Sequence, residues 1–278
     1  TEIVTRVRDF VLAHLHQHPE IAEPLMDKIT RNERMRKEIQ AVKRQAREKA
    51  KKTFLKIPKL RDCKYHLNED GDKGSNSMIF LTEGQSAAGS MISSRDVDSQ
   101  AVFSLRGKPL NCFGMKQATV YKNEELYFIM KALNIEDGLE GLRYAKVVLA
   151  TDADVDGLHI RNLLITYFLT FFEQLVLSEH LYVLETPLFR ARNRKETVYC
   201  YSEVERNEAV TRLGKSAEVT RFKGLGEISP SEFGQFIGDD IRLVPVTVDT
   251  MREIPELLGF FMGRNTPDRR SYIMERLA

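Results

Sequence analysis

The segment from Lys146 to Leu177 constrains the fold more than any other part of the sequence. Lys146-Val147-Val148-Leu149-Ala150 is a short apolar run, Thr151-Asp152-Ala153-Asp154-Val155-Asp156-Gly157 follows, and Leu158 to Leu177 then carries Leu163, Leu164, Phe168, Phe171 and Phe172 at helical spacing. An apolar run of this length reads as a strand buried on both faces, and the helical spacing marks those five side chains as core. The same rhythm recurs elsewhere. Met78 to Leu81 reads as a strand, followed by a Gly/Ser/Ala loop over 82–90 and a helix. Ala101 to Leu105 and His180 to Leu184 read as further strands, with a helix from about Asn123 to Leu133 between them. Strand–helix alternation with continuous apolar strands predicts a small doubly wound α/β domain, a parallel sheet with helices on both faces.

Flanking this block are regions of different character. Residues 4–16 and 20–52 read as helices broken near His18-Pro19, with Pro24 tolerated early in the second. From Arg31 to Lys64 there are 14 Lys or Arg against 4 Asp or Glu, a local charge of +10 in a chain whose total is +2, so the remainder carries −8. Such a split suits a polyanionic partner, although Ile39, Val42 and Ala46 recur as on an ordinary solvated helix. Leu67 to Ser77 is polar and Gly-rich, a linker or long turn that marks a domain boundary there or just before, near Pro58. Beyond the α/β block, Thr197–Ser202 and Val219–Phe222 read as short strands. Ser229-Pro230-Ser231-Glu232 reads as a helix start, with Ser as N-cap, Pro at the first position and Glu three residues on.

Composition excludes several classes. At 278 residues, 42% hydrophobic and 29% charged, the chain is not disordered, and its length allows one large domain or two small ones. No stretch approaches the ~20 apolar residues of a membrane span. The longest apolar region, Leu163 to Leu177, is interrupted by Thr166, Thr170, Glu173 and Gln174. Cys63, Cys112 and Cys200 match neither a disulfide framework nor a zinc ribbon and read as reduced thiols, and no signal-peptide pattern leads the chain. A cytoplasmic protein with no membrane partner is therefore expected. The chain opens inside a helical pattern, as a piece of a longer protein would.

Chemistry is concentrated in two loops at the carboxyl ends of predicted strands, where open α/β sheets place their sites. One leaves its strand at Glu83 into Gly84-Gln85-Ser86-Ala87-Ala88-Gly89-Ser90; the other holds Asp152, Asp154 and Asp156. Three alternating aspartates repel one another unless a cation offsets them, and a hard divalent ion such as Mg²⁺ takes oxygen ligands together with substrate phosphate. An isolated Asp-x-Asp-x-Asp also occurs in turns and calcium loops, but Leu163 stands where an EF-hand would carry its twelfth-position Glu. A receiver-type phospho-acceptor pocket is a further reading of the aspartates alone. With Glu83 added, the loops make a four-carboxylate pocket, and the glycines allow close approach of a nucleic-acid backbone.

The Glu in LTEGQSAAGS paired with TDADVDG resembles the Toprim domain shared by topoisomerases, bacterial primases and some recombination proteins. SLRGKPLN at 104–111, TDADVDGLHIRNLL at 151–164, RFKGLGEISP at 221–230 and MGRNTPDRRSYI near the end narrow the likeness. Together they resemble the B subunit of bacterial type IIA topoisomerases, DNA gyrase and topoisomerase IV. The resemblance implies a Rossmann-like Toprim domain at 67–190. The end of a helical, basic transducer domain precedes it at 1–66, and a mixed α/β tail with the KGLGE motif follows at 191–278. It implies Mg²⁺, one or two ions, held by Glu83, Asp152 and Asp154, with Asp156 completing the cluster. It implies DNA contacts at Lys108, Asn111, His159 and Arg269, although read singly Lys108 is a turn lysine and His159 a helix cap. The nucleophilic tyrosine would come from an A subunit in an A2B2 heterotetramer, and ATP would belong to an ATPase module outside these residues.

On this reading the chain supports ATP-dependent double-strand DNA cleavage, passage and religation. The short segment between Tyr182 and Arg221, without the long insertion of some gyrases, leans towards topoisomerase IV, with DNA gyrase the alternative. A primase-like nucleotidyl transferase and a non-catalytic DNA-binding module are the remaining classes. One departure stands out: the family usually has Glu-Gly-Asp-Ser where this chain has Glu83-Gly84-Gln85-Ser86, one negative charge fewer.

Overall fold

A computed structural model describes residues 2–52, 57–68, 71–214, 216–222, 224–248 and 253–277. Lys223 of the RFKGLGEISP segment lies outside the described residues, as do the side chains of 41–52 in the basic arm, Val42 and Ala46 among them. Two compact units are distinguished, Thr1–Leu55 with Gln117–Lys122, and Lys56–Lys116 with Asn123–Ala278.

The first unit is helical. Helix α1 (Glu2–Gln17) and helix α2 (Pro19–Lys52) meet at His18, and Pro19, lacking an N–H, opens the second helix where no donor is needed. Pro24 lies inside α2 within its early turns.

The second unit begins with a two-residue strand β1 (Leu60–Arg61), a 3₁₀ turn over Gly71–Asn76 and strand β2 (Met78–Glu83). Helix α3 (Gly84–Ser94) and strand β3 (Gln100–Leu105) follow; helix α4 (Gln117–Lys122) belongs to the first unit, where it packs with α2. Then come α5 (Glu124–Leu133), β4 (Lys146–Ala150), α6 (Val155–Phe171), α7 (Glu173–Leu177) and β5 (Leu181–Leu184). The remainder comprises β6 (Phe189–Arg192), β7 (Thr197–Cys200), α8 (Glu203–Leu213), β8 (Glu218–Arg221), α9 (Pro230–Ile237), β9 (Leu243–Pro245), α10 (Ile254–Met262) and α11 (Thr266–Leu277).

The main sheet has the order β1-β3-β2-β4-β5-β9; β3, β2, β4 and β5 are parallel, and the two edges are antiparallel. Ile79, Phe80, Leu81, Val147, Val148 and Leu149 are wholly buried, as strands covered on both faces require. On one face Phe80, Val102 and Val148 pack with Ala87 and Met91 of α3 and with Leu225, Phe233 and Phe236. A second sheet, β7-β6-β8, is antiparallel and shares a small core with Ala209 and Leu213 of α8.

Four features differ from the sequence expectation. The loop over 82–90 is already helix from Gly84: its Gly- and Ser-rich composition has poor helix propensity, but burial of Ala87, Ala88 and Met91 outweighs it. The helix expected over 158–177 stops at Phe171, and the backbone of Phe172 leaves helical geometry (φ −140°, ψ 46°) while its ring lies edge-on to Tyr167. The sheet takes in Leu60–Arg61, a strand that the sequence pattern did not announce, just beyond Pro58. It also takes in Leu243–Pro245, and Phe222, Leu225, Ile228, Phe233, Phe236 and Ile237 share the core of the strands, so residues beyond 191 pack into the same core as the strands before them.

Candidate active site

The parallel register determines which loops meet. Glu83 of β2 pairs with Leu105 of β3, and Thr82 pairs with Ala150 of β4. Three adjacent strands therefore end together, and the chain leaves them as Glu83-Gly84, Arg106-Gly107-Lys108 and Thr151-Asp152. Gly84 has φ +71°, a left-handed geometry that glycine adopts freely, and this turns the chain from strand to helix within one residue.

Each acid is held differently. Asp154 is the N-cap of α6, its Oδ1 accepting from Gly157 N at 2.8 Å, which uses one carboxylate oxygen at the positive end of the helix. Asp156 is exposed and accepts from Lys108 Nζ at 2.7 Å, and this hydrogen bond holds its carboxyl below the ordinary range. Asp152 accepts from the backbone N–H of Leu225 at 2.7 Å. Burial nevertheless pushes the Asp152 carboxyl up, with repulsion from Asp154 and Glu227 adding to it. Glu83 is pushed up in the same way, first by burial and then by Asp152 and Asp154, with the N–H of Asp152 partly opposing. Glu83 Oε2 is buried with no hydrogen-bond partner, as are the hydroxyls of Thr82 and Thr151.

An orphaned carboxylate oxygen and two acids titrating upward fit an oxygen-ligated divalent cation, which would relieve both the repulsion and the missing partner. Glu83, Asp152 and Asp154 are the residues placed to hold one. Among the described residues, the His/Cys/Asp/Glu set whose ligand atoms converge within 4.8 Å lies elsewhere: Asp62, Cys63 and His66. That cluster already contains a cation. Arg143 Nη2 sits 2.5 Å from Asp62 Oδ2 and 2.8 Å from His66 Nε2, and Tyr144 OH donates to Asp62 Oδ1 at 2.6 Å. Burial raises the Cys63 thiol to about 11, away from the thiolate a metal needs. The cluster is a polar network that ties the start of the unit to the segment leading into β4.

The DNA-contact candidates fall into two places. Lys108 joins the acidic loops. Asn111, His159 and Arg269 line a separate cleft of about 620 Å³ between α6 and α10–α11, with Leu158 and Phe261 on its walls. Asn111 there donates to Met262 O at 2.8 Å and accepts from Phe113 N at 3.1 Å, and Arg269 donates to Phe261 O, so both brace the backbone as well. His159, on the cleft wall formed by α6, is exposed.

The KGLGE segment has a role that its motif does not state. A Cβ on Gly224 would lie 2.6 Å from Asp152 Oδ2, so the backbone must pass the carboxylate bare of a side chain, and the next N–H caps it. A backbone donor leaves no side-chain signature, so only the glycine hinted at this contact.

Comparison with known proteins agrees along the chain. The Toprim domain family matches residues 78–186. The B subunit of DNA topoisomerase 4 from Borreliella burgdorferi is 55% identical across 99% of this chain and 46% of its own length. The B subunit of DNA gyrase from Archaeoglobus fulgidus is 32% identical across 99% of this chain and 43% of its own. Along nearly its whole length the chain is similar to type IIA topoisomerase B subunits. It spans less than half the length of these relatives. The fold is also that of the Plasmodium falciparum topoisomerase II DNA-binding, cleavage and re-ligation domain, with a TM-score of 0.65 at 24% identity over 79% of this chain and 31% of that one. Within the B-subunit family pattern, Gln85 is exposed in the first turn of α3, beyond the two residues that bring Glu83 to Asp152.

Proposed function

We propose that this chain is the Mg²⁺-binding Toprim part of a type IIA topoisomerase B subunit, acting with an A subunit to cleave and religate double-stranded DNA. The observation that carries the reading is the meeting of Glu83 and Asp152 at adjacent strand ends, both pushed towards protonation and with Glu83 Oε2 left without a partner. Identity of 55% to a topoisomerase IV B subunit, against 32% to a gyrase B subunit, favours topoisomerase IV.

Glu83, Asp152 and Asp154 would hold the ion, and the Leu225 amide orients Asp152 towards it. Mg²⁺ bound there would supply stabilisation of charge on the leaving and neighbouring phosphate oxygens. Lys108, beside the acids, is placed to exchange Asp156 for a backbone phosphate, and His159 and Arg269 offer further contacts to the duplex. The attacking tyrosine would be the A subunit's, and ATP would be used by an ATPase module beyond these residues. A role on bacterial chromosomal DNA would place the protein in the cytoplasm. Among the described residues no helix is long and apolar enough to cross a membrane.

The deciding experiment mixes this chain with a type IIA topoisomerase A subunit and supercoiled plasmid, in Mg²⁺ or EDTA, with wild type and Asp152→Ala. Covalent cleavage that needs both the metal and Asp152 is the expected result. Full cleavage by the folded variant would defeat the assignment.

A further inference from the structure

Arg106 is the first residue beyond the last β2–β3 pair, so its amide has left the ladder and needs another acceptor. Glu125, in the first turn of α5, supplies one: its Oε1 accepts from Arg106 N at 3.1 Å. Its Oε2 forms an ion pair with Lys59, and both side chains are largely buried, with exposures of 18% and 25%. Lys59 is itself anchored, its carbonyl accepting from Ser104 N at 3.2 Å immediately before Leu60 pairs with Phe103. One carboxylate thus fastens the start of the Arg106-Gly107-Lys108 turn to α5 and to the strand beside it. Gly107, at φ +75°, then swings the chain so that Lys108 reaches Asp156.

We infer that Glu125 is the positioning residue of this turn: it fixes Arg106 N–H so that Lys108 is delivered to the acidic loop and, there, to a DNA phosphate. Glu125 itself touches neither. A long lysine on an unfastened glycine turn would sample many positions, whereas pinning the residue two before it confines the ammonium group to the vicinity of Asp156. The inference rests on the reading of the site as one that binds DNA.

The test uses the full chain with a short fluorescein-labelled duplex in Mg²⁺, titrated at several KCl concentrations. Lys108→Ala should weaken binding about threefold, as loss of an exposed charge pair does. It should also flatten the plot of log affinity against log salt by about 0.9, the value of one phosphate contact. Glu125→Ala should produce the same two changes, and the double variant should be no worse than either single one. Glu125→Gln keeps an oxygen for Arg106 N–H while losing the ion pair with Lys59, and should retain the wild-type slope. Amide hydrogen exchange, followed in parallel, should rise at Arg106 in Glu125→Ala and stay low in Glu125→Gln, with protection in β2 and β3 kept in both.

Additive losses in the double variant, or a Glu125→Gln protein that behaves as Glu125→Ala does, would show a general structural role and overturn the inference. Unchanged exchange at Arg106 in Glu125→Ala would overturn it whatever the DNA data. A Lys108→Ala protein with wild-type slope would instead sink the DNA-contact reading, and exchange at the turn would then judge the role of Glu125 alone.

Discussion

Asp152 carries two opposing demands. Its capping by Leu225 N–H favours the charged form, while burial and Asp154 oppose it more strongly. A carboxyl whose folded titration point is raised adds stability when protonated, below its ordinary value of 3.8, and loses that contribution as pH rises through the raised point. At neutral pH in EDTA the charged acid therefore costs stability. Asp152→Asn is expected to melt at a higher temperature than wild type at pH 7 in EDTA, with the gap closing as pH falls towards the acid's titration range. Calorimetric scans at a series of pH values would measure this, and added Mg²⁺ should raise the melting point of wild type alone. A variant that melts below wild type at pH 7 would contradict the assignment. Gly224→Ala tests the same atom from the other side. Its Cβ would meet Asp152 Oδ2 at 2.6 Å, which forces the KGLGE backbone or the carboxylate to move. A loss of about 1–3 kcal/mol in urea unfolding is expected, together with weaker Mg²⁺ stabilisation.

Helix α9 was readable from its first four residues, because its start signals are local. Ser229 and Glu232 form the reciprocal capping box that their spacing announces, with Pro230 at the first position. Less visible was that Glu232 also pairs with Arg190 and accepts from Tyr199 OH at 3.1 Å, joining α9 to the smaller sheet. Ser229→Ala should cost about 1 kcal/mol, the usual value of a cap. Glu232→Ala should cost more, because it strands a largely buried Arg190 as well. Equal losses in denaturant titrations would mean that the ion pair contributes nothing. Helix α3 is the contrary case: Gly84 to Ser94 lacks local helix signals, and only the packing of Ala87, Ala88 and Met91 against the sheet and α9 makes it helical.

Over the whole compact unit, residues beyond 190 complete the core of residues before it. Phe222, Leu225, Ile228, Phe233, Phe236 and Ile237 are all nearly inaccessible, packed on Met78, Phe80 and Val148, and β9 covers the β5 edge. At about 1.5–3 kcal/mol per buried large apolar side chain, losing six exceeds the margin by which such domains are stable. A chain ending at 190 is expected to lose its sharp thermal transition and to bind a hydrophobic dye. A cooperative melt close to that of the full chain would show the tail to be dispensable.

What the sequence by itself determined was whatever depends on near neighbours. Strand β4 and the start of α6 follow from an apolar run and a helical period, the acid loop from three aspartates between them, and the α9 start from a capping box. The family likeness is of the same kind, since its motifs are short and contiguous. Tertiary structure alone decided the pairings across distance. It set the register that ends β2, β3 and β4 together, Leu225 N–H on Asp152, Glu125 on Arg106 N–H, and the Asp62–Arg143 contact that fills a possible metal cluster with a cation. Each of these joins residues at least 19 positions apart, often through a backbone amide that every residue except proline possesses. No local pattern distinguishes the amide that will be used, because the choice follows from how the sheet and helices pack.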